Sequence, residues 1–167
     1  MDRKQFLTTG VLTTGLYIAA PYTIFAQEQE KPQLDKRIVQ NFVGAGHKSL
    51  ETVKELLAQH PTLINAAHDW RGGDFETCLG AASHVGYKEL AQYLLDHGAQ
   101  ANVFTAALFG KIDIIKSILE FSPGTLHAKG PHGYTLLHHA ERGGDQSKEV
   151  TEYLKSLGLK KTKTDLF

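Results

Sequence analysis

Thr77-Cys78-Leu79-Gly80-Ala81-Ala82-Ser83-His84-Val85-Gly86 leads directly into Tyr87-Lys88-Glu89-Leu90-Ala91-Gln92-Tyr93-Leu94-Leu95-Asp96-His97-Gly98-Ala99. The first ten residues read as a short helix with both ends marked. The Thr77 hydroxyl caps its amino terminus, the small Ala82 lets a neighbouring helix pack closely, and Gly86 supplies a left-handed turn. Beyond the turn, Leu90, Tyr93 and Leu94 fall at helical spacing and form one buried stripe.

The same grammar returns at Thr135, Leu137, His138, Ala140 and Gly144, followed by Val150, Tyr153 and Leu154. Self-similarity of this kind signals stacked units. The run resembles the ankyrin repeat, whose Thr-Pro-Leu-His-x-Ala-Ala-x-x-Gly precedes an apolar helix ending in Leu-Leu-x-x-Gly-Ala. The resemblance implies an all-α, ankyrin-repeat solenoid of about four helix-turn-helix units with β-turn fingers, over residues 37–158.

Lys48, Gly86, Gly110 and Gly144 mark the inter-helix turns and lie 38, 24 and 34 residues apart, against a regular period of about 33. Loops absorb such differences more easily than helices. Between the second and third units the finger is missing, because Asn102-Val103-Phe104 runs almost straight into a helix carrying Ala106, Ala107, Leu108 and Phe109. Between the first and second units the loop is longer, from Ala66 to Glu76, and holds the single Trp, Trp70. The last finger, Gly130-Pro131-His132-Gly133-Tyr134, is ordinary and leads to its cap, Thr135. In the first unit Lys48 replaces the turn glycine, where left-handed backbone costs ~1 kcal/mol more, so a different turn is expected. Pro61 and Pro123 act as helix stops.

The amino terminus differs from the rest. Arg3 and Lys4 precede a mostly apolar stretch from Phe6 to Ala20, then Pro21 and a small-residue cleavage position after Ala26. This is the layout of an export signal over residues 1–26. Its head resembles a twin-arginine signal with Lys4 in place of the second arginine, which leaves the unfolded-export route open. Residues 27–36 read as a solvated linker and 159–167 as a polar tail. A periplasmic location follows, or a membrane anchor if the signal is uncleaved.

The whole chain has 167 residues, 18 Lys+Arg against 18 Asp+Glu, and 41% apolar residues. That balance argues against disorder and against nucleic acid as a partner. One cysteine allows neither an internal disulfide nor a multi-cysteine zinc site. Cys78, at the start of a helix, is expected to be a small packed filler rather than a nucleophile.

Nine histidines invite a metal or catalytic reading, yet no His-Glu-x-x-His run is present. His138 falls on the repeat's own His slot, which implies bonding between units. His138 and His139 point in different directions on a helix. His60, His97 and His127 sit at helix ends, and His47 and His68 have no evident neighbour. A composite set of His84, His132 and His139 is the histidine alternative.

These readings lead to a monomeric, exported interaction module without catalysis, metal or cofactor. Its partner is an unidentified protein, a periplasmic enzyme being the class that the setting suggests. The expected partner-binding groove contains Trp70, Arg71, Phe75, Glu76, His84, Leu108, Phe109, His132, Tyr134 and Arg142. The repeat framework is Thr77, Leu79, Ala82, Gly86, Ala106, Gly110, Thr135, Leu137, His138, Ala140 and Gly144. In a competing arrangement Trp70 and Phe75 fold down over the gap of the missing finger, burying Leu108 and Phe109. The rival function is a metal or small-molecule site, conceivably hydrolytic, built from His84, His132, Asp74 and Glu76, which requires three of them to converge on one point.

Overall fold

Asp35 caps the first described helix, its carboxylate accepting from the backbone N–H of Arg37 at 2.7 Å. The computed structural model describes residues 32–167, so the expected export signal and the start of the linker lie outside the described residues. Helix α1 (Lys36–Ala45) is followed by α2 (Leu50–Gln59), a hairpin of β1 (Ala67–Asp69) and β2 (Phe75–Thr77), then α3 (Cys78–Val85) and α4 (Lys88–Asp96). Next come α5 (Val103–Leu108), α6 (Ile112–Phe121), α7 (Leu136–Arg142) and α8 (Lys148–Ser156). The described residues are therefore mostly helical, with one antiparallel hairpin among them pairing Ala67 with Thr77 and Asp69 with Phe75. Among the described residues no helix is long and apolar enough to cross a membrane.

The expected caps and turns form. Thr77 accepts from Gly80 N–H at 3.0 Å, Asn102 from Thr105 N–H at 2.9 Å, and Thr135 from His138 N–H at 3.4 Å. Gly86, Gly110 and Gly144 are left-handed, with φ of 80°, 65° and 62°. Lys48 is not, and its amide instead closes a turn on Ala45. Pro61 and Pro123 each open a short 3-10 turn after their helix.

The helices pack as consecutive pairs, and the first helices of the pairs lie side by side, α1 on α3, α3 on α5 and α5 on α7. Leu79, Ala82, Ala106, Leu137 and Ala140 are buried along these contacts. One feature departs from a one-dimensional stack, in which each unit meets only its neighbours: α3 also touches α7. The approach occurs where Gly86 lies against Arg142, whose carbonyl oxygen stands 3.3 Å from the place of a Cβ on Gly86. Lys88 clamps the same edge by donating to the Gly143 carbonyl and to Gln146 Oε1.

The connection from α4 to α5 holds only His97–Asn102, with neither strand nor 3-10 turn. No intervening finger separates the hairpin from the last finger, so the two meet. The polar carboxyl-terminal residues lie against the fold. Leu159 is buried, and the tail runs along the last finger with Thr135 N–H donating to Thr162 O at 3.0 Å and Thr164 N–H to Gly133 O at 2.9 Å. The finger's free backbone groups supply the partners that hold it.

Candidate metal centre

Glu76 is the middle residue of β2, one residue before the cap of α3, and its side chain is fully buried. A buried carboxylate is costly unless paired and hydrogen-bonded. Oε2 accepts the indole N–H of Trp70 at 2.7 Å, while Oε1 has no hydrogen-bond partner among the described residues. Three imidazoles surround it. His84 Nε2, from the last turn of α3, lies 3.0 Å from Oε1, whereas His47 Nε2 and His132 Nε2 lie 3.4 and 3.5 Å from Oε2.

The far sides of two rings are already committed. His47 Nδ1 faces the Gly44 carbonyl at 3.3 Å, and His132 Nδ1 faces Asp74 Oδ2 at 2.7 Å. A carbonyl and a carboxylate only accept, so each Nδ1 carries a proton and Nε2 is the ring nitrogen turned toward Glu76. His47 Nε2 and His84 Nε2 are also 3.0 Å apart. Three Nε2 atoms and one carboxylate therefore converge on a point where ring protons or a bound cation balance the buried charge.

One ligand atom from each of His47, Glu76, His84 and His132 lies within 4.8 Å of all the others. A tetrahedral ion with bonds of about 2.0 Å sets its ligands about 3.3 Å apart, and the close pairs here, 3.0 to 3.5 Å, bracket that spacing. Outer contacts to a carboxylate and to a backbone carbonyl are the arrangement that orients metal-binding histidines. The donor set fits one divalent transition metal. No family model matches this chain, and no curated protein matches it either.

Backbone geometry serves the same cluster. His132 has φ 58°, the one positive value outside glycine among the described residues. Asp74 stabilises that turn from both sides, accepting the His132 backbone N–H at 2.8 Å as well as its ring N–H. Burial alone would raise the Asp74 pKa, but these two hydrogen bonds and the nearby imidazole hold it below the ordinary carboxylate value. Tyr134 stacks on His84 with centroids 5.0 Å apart and on His138 at 4.0 Å, fixing one wall. His138 Nε2–H donates to the His84 carbonyl at 2.8 Å, the inter-unit bond expected of it.

Several expected assignments change. Glu76, His84 and Leu108 are buried rather than lining an open groove. Phe75 is 62% exposed, and Arg71 and Arg142 are exposed, while Phe109, Tyr134 and Trp70 are half-buried. Trp70 lies against His47 and His68 instead of covering the missing-finger gap. Leu108 is buried by the core, and Phe109 lines an open cleft between α4 and α6. The composite set keeps His84 and His132 but exchanges His139 for His47, since His139 is enclosed beside Phe104 with Nδ1 on Thr135 O. The rival set converges through His84, His132 and Glu76, with Asp74 behind. The expectation of no metal ligands thus meets a cluster of His47, Glu76, His84 and His132 spaced so that it could hold an ion. Cys78 is buried, and burial followed by the Glu76 charge pushes its thiol up to about 12, which makes it inert.

His47 is the member that sequence reading missed. It precedes the first turn residue, Lys48, by one position where His84 precedes Gly86 by two, so the turn after α1 and the last turn of α3 present imidazoles at nearly the same level. Asp74 and His132 each stand three residues before their capping threonines, Thr77 and Thr135. Equivalent finger positions become neighbours when the finger between them is absent.

Proposed function

We propose that this chain is a metal-binding helical-repeat protein in which His47, Glu76, His84 and His132 hold one divalent transition-metal ion. The observation that carries the reading is the buried Glu76 carboxylate facing three Nε2 atoms. Imidazole and carboxylate without thiolate suit Zn²⁺, with Cu²⁺, Ni²⁺ and Co²⁺ as competitors. Four protein ligands drawn from distant segments match a stapling ion better than one that turns over substrate. The neighbouring cavities agree with that: one is lined by Asp74 and Phe75, another by Trp70 and Lys48, and neither by a ligating imidazole.

The helix pairs are read as ankyrin-like units on the strength of their caps, left-handed glycine turns and side-by-side first helices, with the α3–α7 contact as a departure. Export through residues 1–26 belongs to the same proposal and rests on the sequence pattern. Partner binding is a second reading, favoured by Arg71 and Phe75 standing exposed at the hairpin beside the cluster.

Calorimetric titration of the chelator-stripped full chain with Zn²⁺ tests the metal reading. One ion per chain is expected, with binding lost in His84→Ala. Absence of heat and of chelator-competing binding would overturn it.

A further inference from the structure

Resting on the metal reading, we infer that the carboxyl-terminal strap, residues 159–167, and the metal are coupled through the finger that carries His132, so that each strengthens the binding of the other. Three ligands, His47, Glu76 and His84, come from the first two helix pairs and the hairpin that joins them. The fourth arrives from the loop before α7, 48 residues beyond His84. Ion binding therefore requires that this finger be docked against the hairpin.

The finger is short and internally closed, with Gly130 N–H donating to Tyr134 O at 2.8 Å and Gly133 N–H to Gly130 O at 3.0 Å. Asp74 grips it on the metal side. The strap grips it on the other. Thr164 N–H donates to Gly133 O at 2.9 Å, and Tyr134 pairs with Lys163 as an isolated antiparallel bridge. Lys129, just before the finger, donates to Asp165 O at 2.6 Å and Leu166 O at 3.2 Å. Gly133 is left-handed at φ 78°, and any Cβ there would collide with the Thr164 carbonyl oxygen. The close approach of strap to finger is thus built into the backbone.

Held between hairpin and strap, His132 keeps a left-handed conformation that is unfavourable for a non-glycine residue. Released from the strap, the finger regains other conformations, and only a fraction of chains present Nε2 to the ion. Apparent metal affinity falls in proportion to that fraction. Linkage makes the effect reciprocal, so the ion must also stabilise the docked strap. The strap, residues 159–167, acts as a positioning element, since none of its residues is placed among the metal ligands.

Two variants of the full chain test the coupling: one ending at Lys160, which keeps the buried Leu159, and Thr164→Pro, which removes a single backbone donor. Zn²⁺ affinity is read by competition with a chromophoric chelator, and amide exchange at Thr164 is followed with and without Zn²⁺. Both variants are expected to bind on the order of tenfold more weakly, the usual effect of losing an outer-shell support. Zn²⁺ is expected to slow Thr164 exchange in the parent chain but not in His132→Asn. A merely structural strap would lower thermal stability and leave affinity unchanged. Unchanged affinity in the folded variants, or strap exchange indifferent to Zn²⁺, overturns the coupling and leaves the metal site standing. Failure of the parent chain to bind Zn²⁺ removes both. Should the shortened chain fail to fold, Thr164→Pro and the exchange measurement on the parent chain decide.

Discussion

Trp70 donates its indole N–H to Oε2 of the buried Glu76 carboxylate at 2.7 Å, which ties the single Trp to a candidate metal ligand. Replacing it by Phe keeps the ring and removes the donor. Trp70→Phe is therefore expected to cost about 1–3 kcal/mol, read from urea unfolding of the metal-free chain. The same proximity makes Trp70 a reporter. Cu²⁺ should quench its fluorescence to an endpoint at one ion per chain, and His84→Ala should abolish that endpoint.

His132→Asn separates backbone from ligand. Asn tolerates the left-handed region better than most residues, so the turn survives while the imidazole is lost. Expected is a metal-free melting temperature within a few degrees of the parent, together with loss of the stabilisation that Zn²⁺ confers. Equal stabilisation by Zn²⁺ in both chains would remove His132 from the ligand set.

Gly110 turns α5 into α6 at φ 65°, and a Cβ there would run into the Gln146 carbonyl oxygen. Gly110→Ala combines left-handed strain with overpacking, and a loss of about 3 kcal/mol is expected from denaturant midpoints. Gly98, also left-handed but with open space around it, should lose about 1 kcal/mol on the same substitution.

His139 gives the fold an acid-side weakness. Burial lowers its pKa from 6.5 to about 4, against a partly compensating hydrogen bond to Thr135 O. The unfolded chain therefore binds a proton at this residue below pH 6.5 that the folded chain refuses until near pH 4. More protons in the unfolded state mean that stability rises with pH across this window and falls on acidification. About 3 kcal/mol should be lost between pH 7 and pH 4, measured in chelator to exclude metal effects. His139→Leu should flatten most of the slope; a residue of it belongs to His138, whose pKa burial also lowers.

Helix positions were legible because their determinants are local. Thr77, Gly86, Thr135 and Gly144 act on backbone within four residues of themselves, and the apolar stripes at Leu90 and Leu94 need only helical periodicity. The missing finger was legible too, from nine residues lost between Gly86 and Gly110. The tail was not. Its hydrogen bonds go to backbone groups of the last finger, and backbone groups leave no trace in residue type.

The site divides along the same line. Glu76, His84 and His132 were each visible as chemically able residues, and Asp74 stood with them in the rival set. Nothing in the chain order said that α3 would reach past α5 to α7, or that Glu76 would turn inward beneath Trp70. Those outcomes depend on which surfaces of three helix pairs meet, a matter of summed packing over residues far apart in the chain. Local pattern thus specified the helices, caps and turns, whereas long-range packing assembled three scattered imidazoles, His47 among them, around one buried carboxylate.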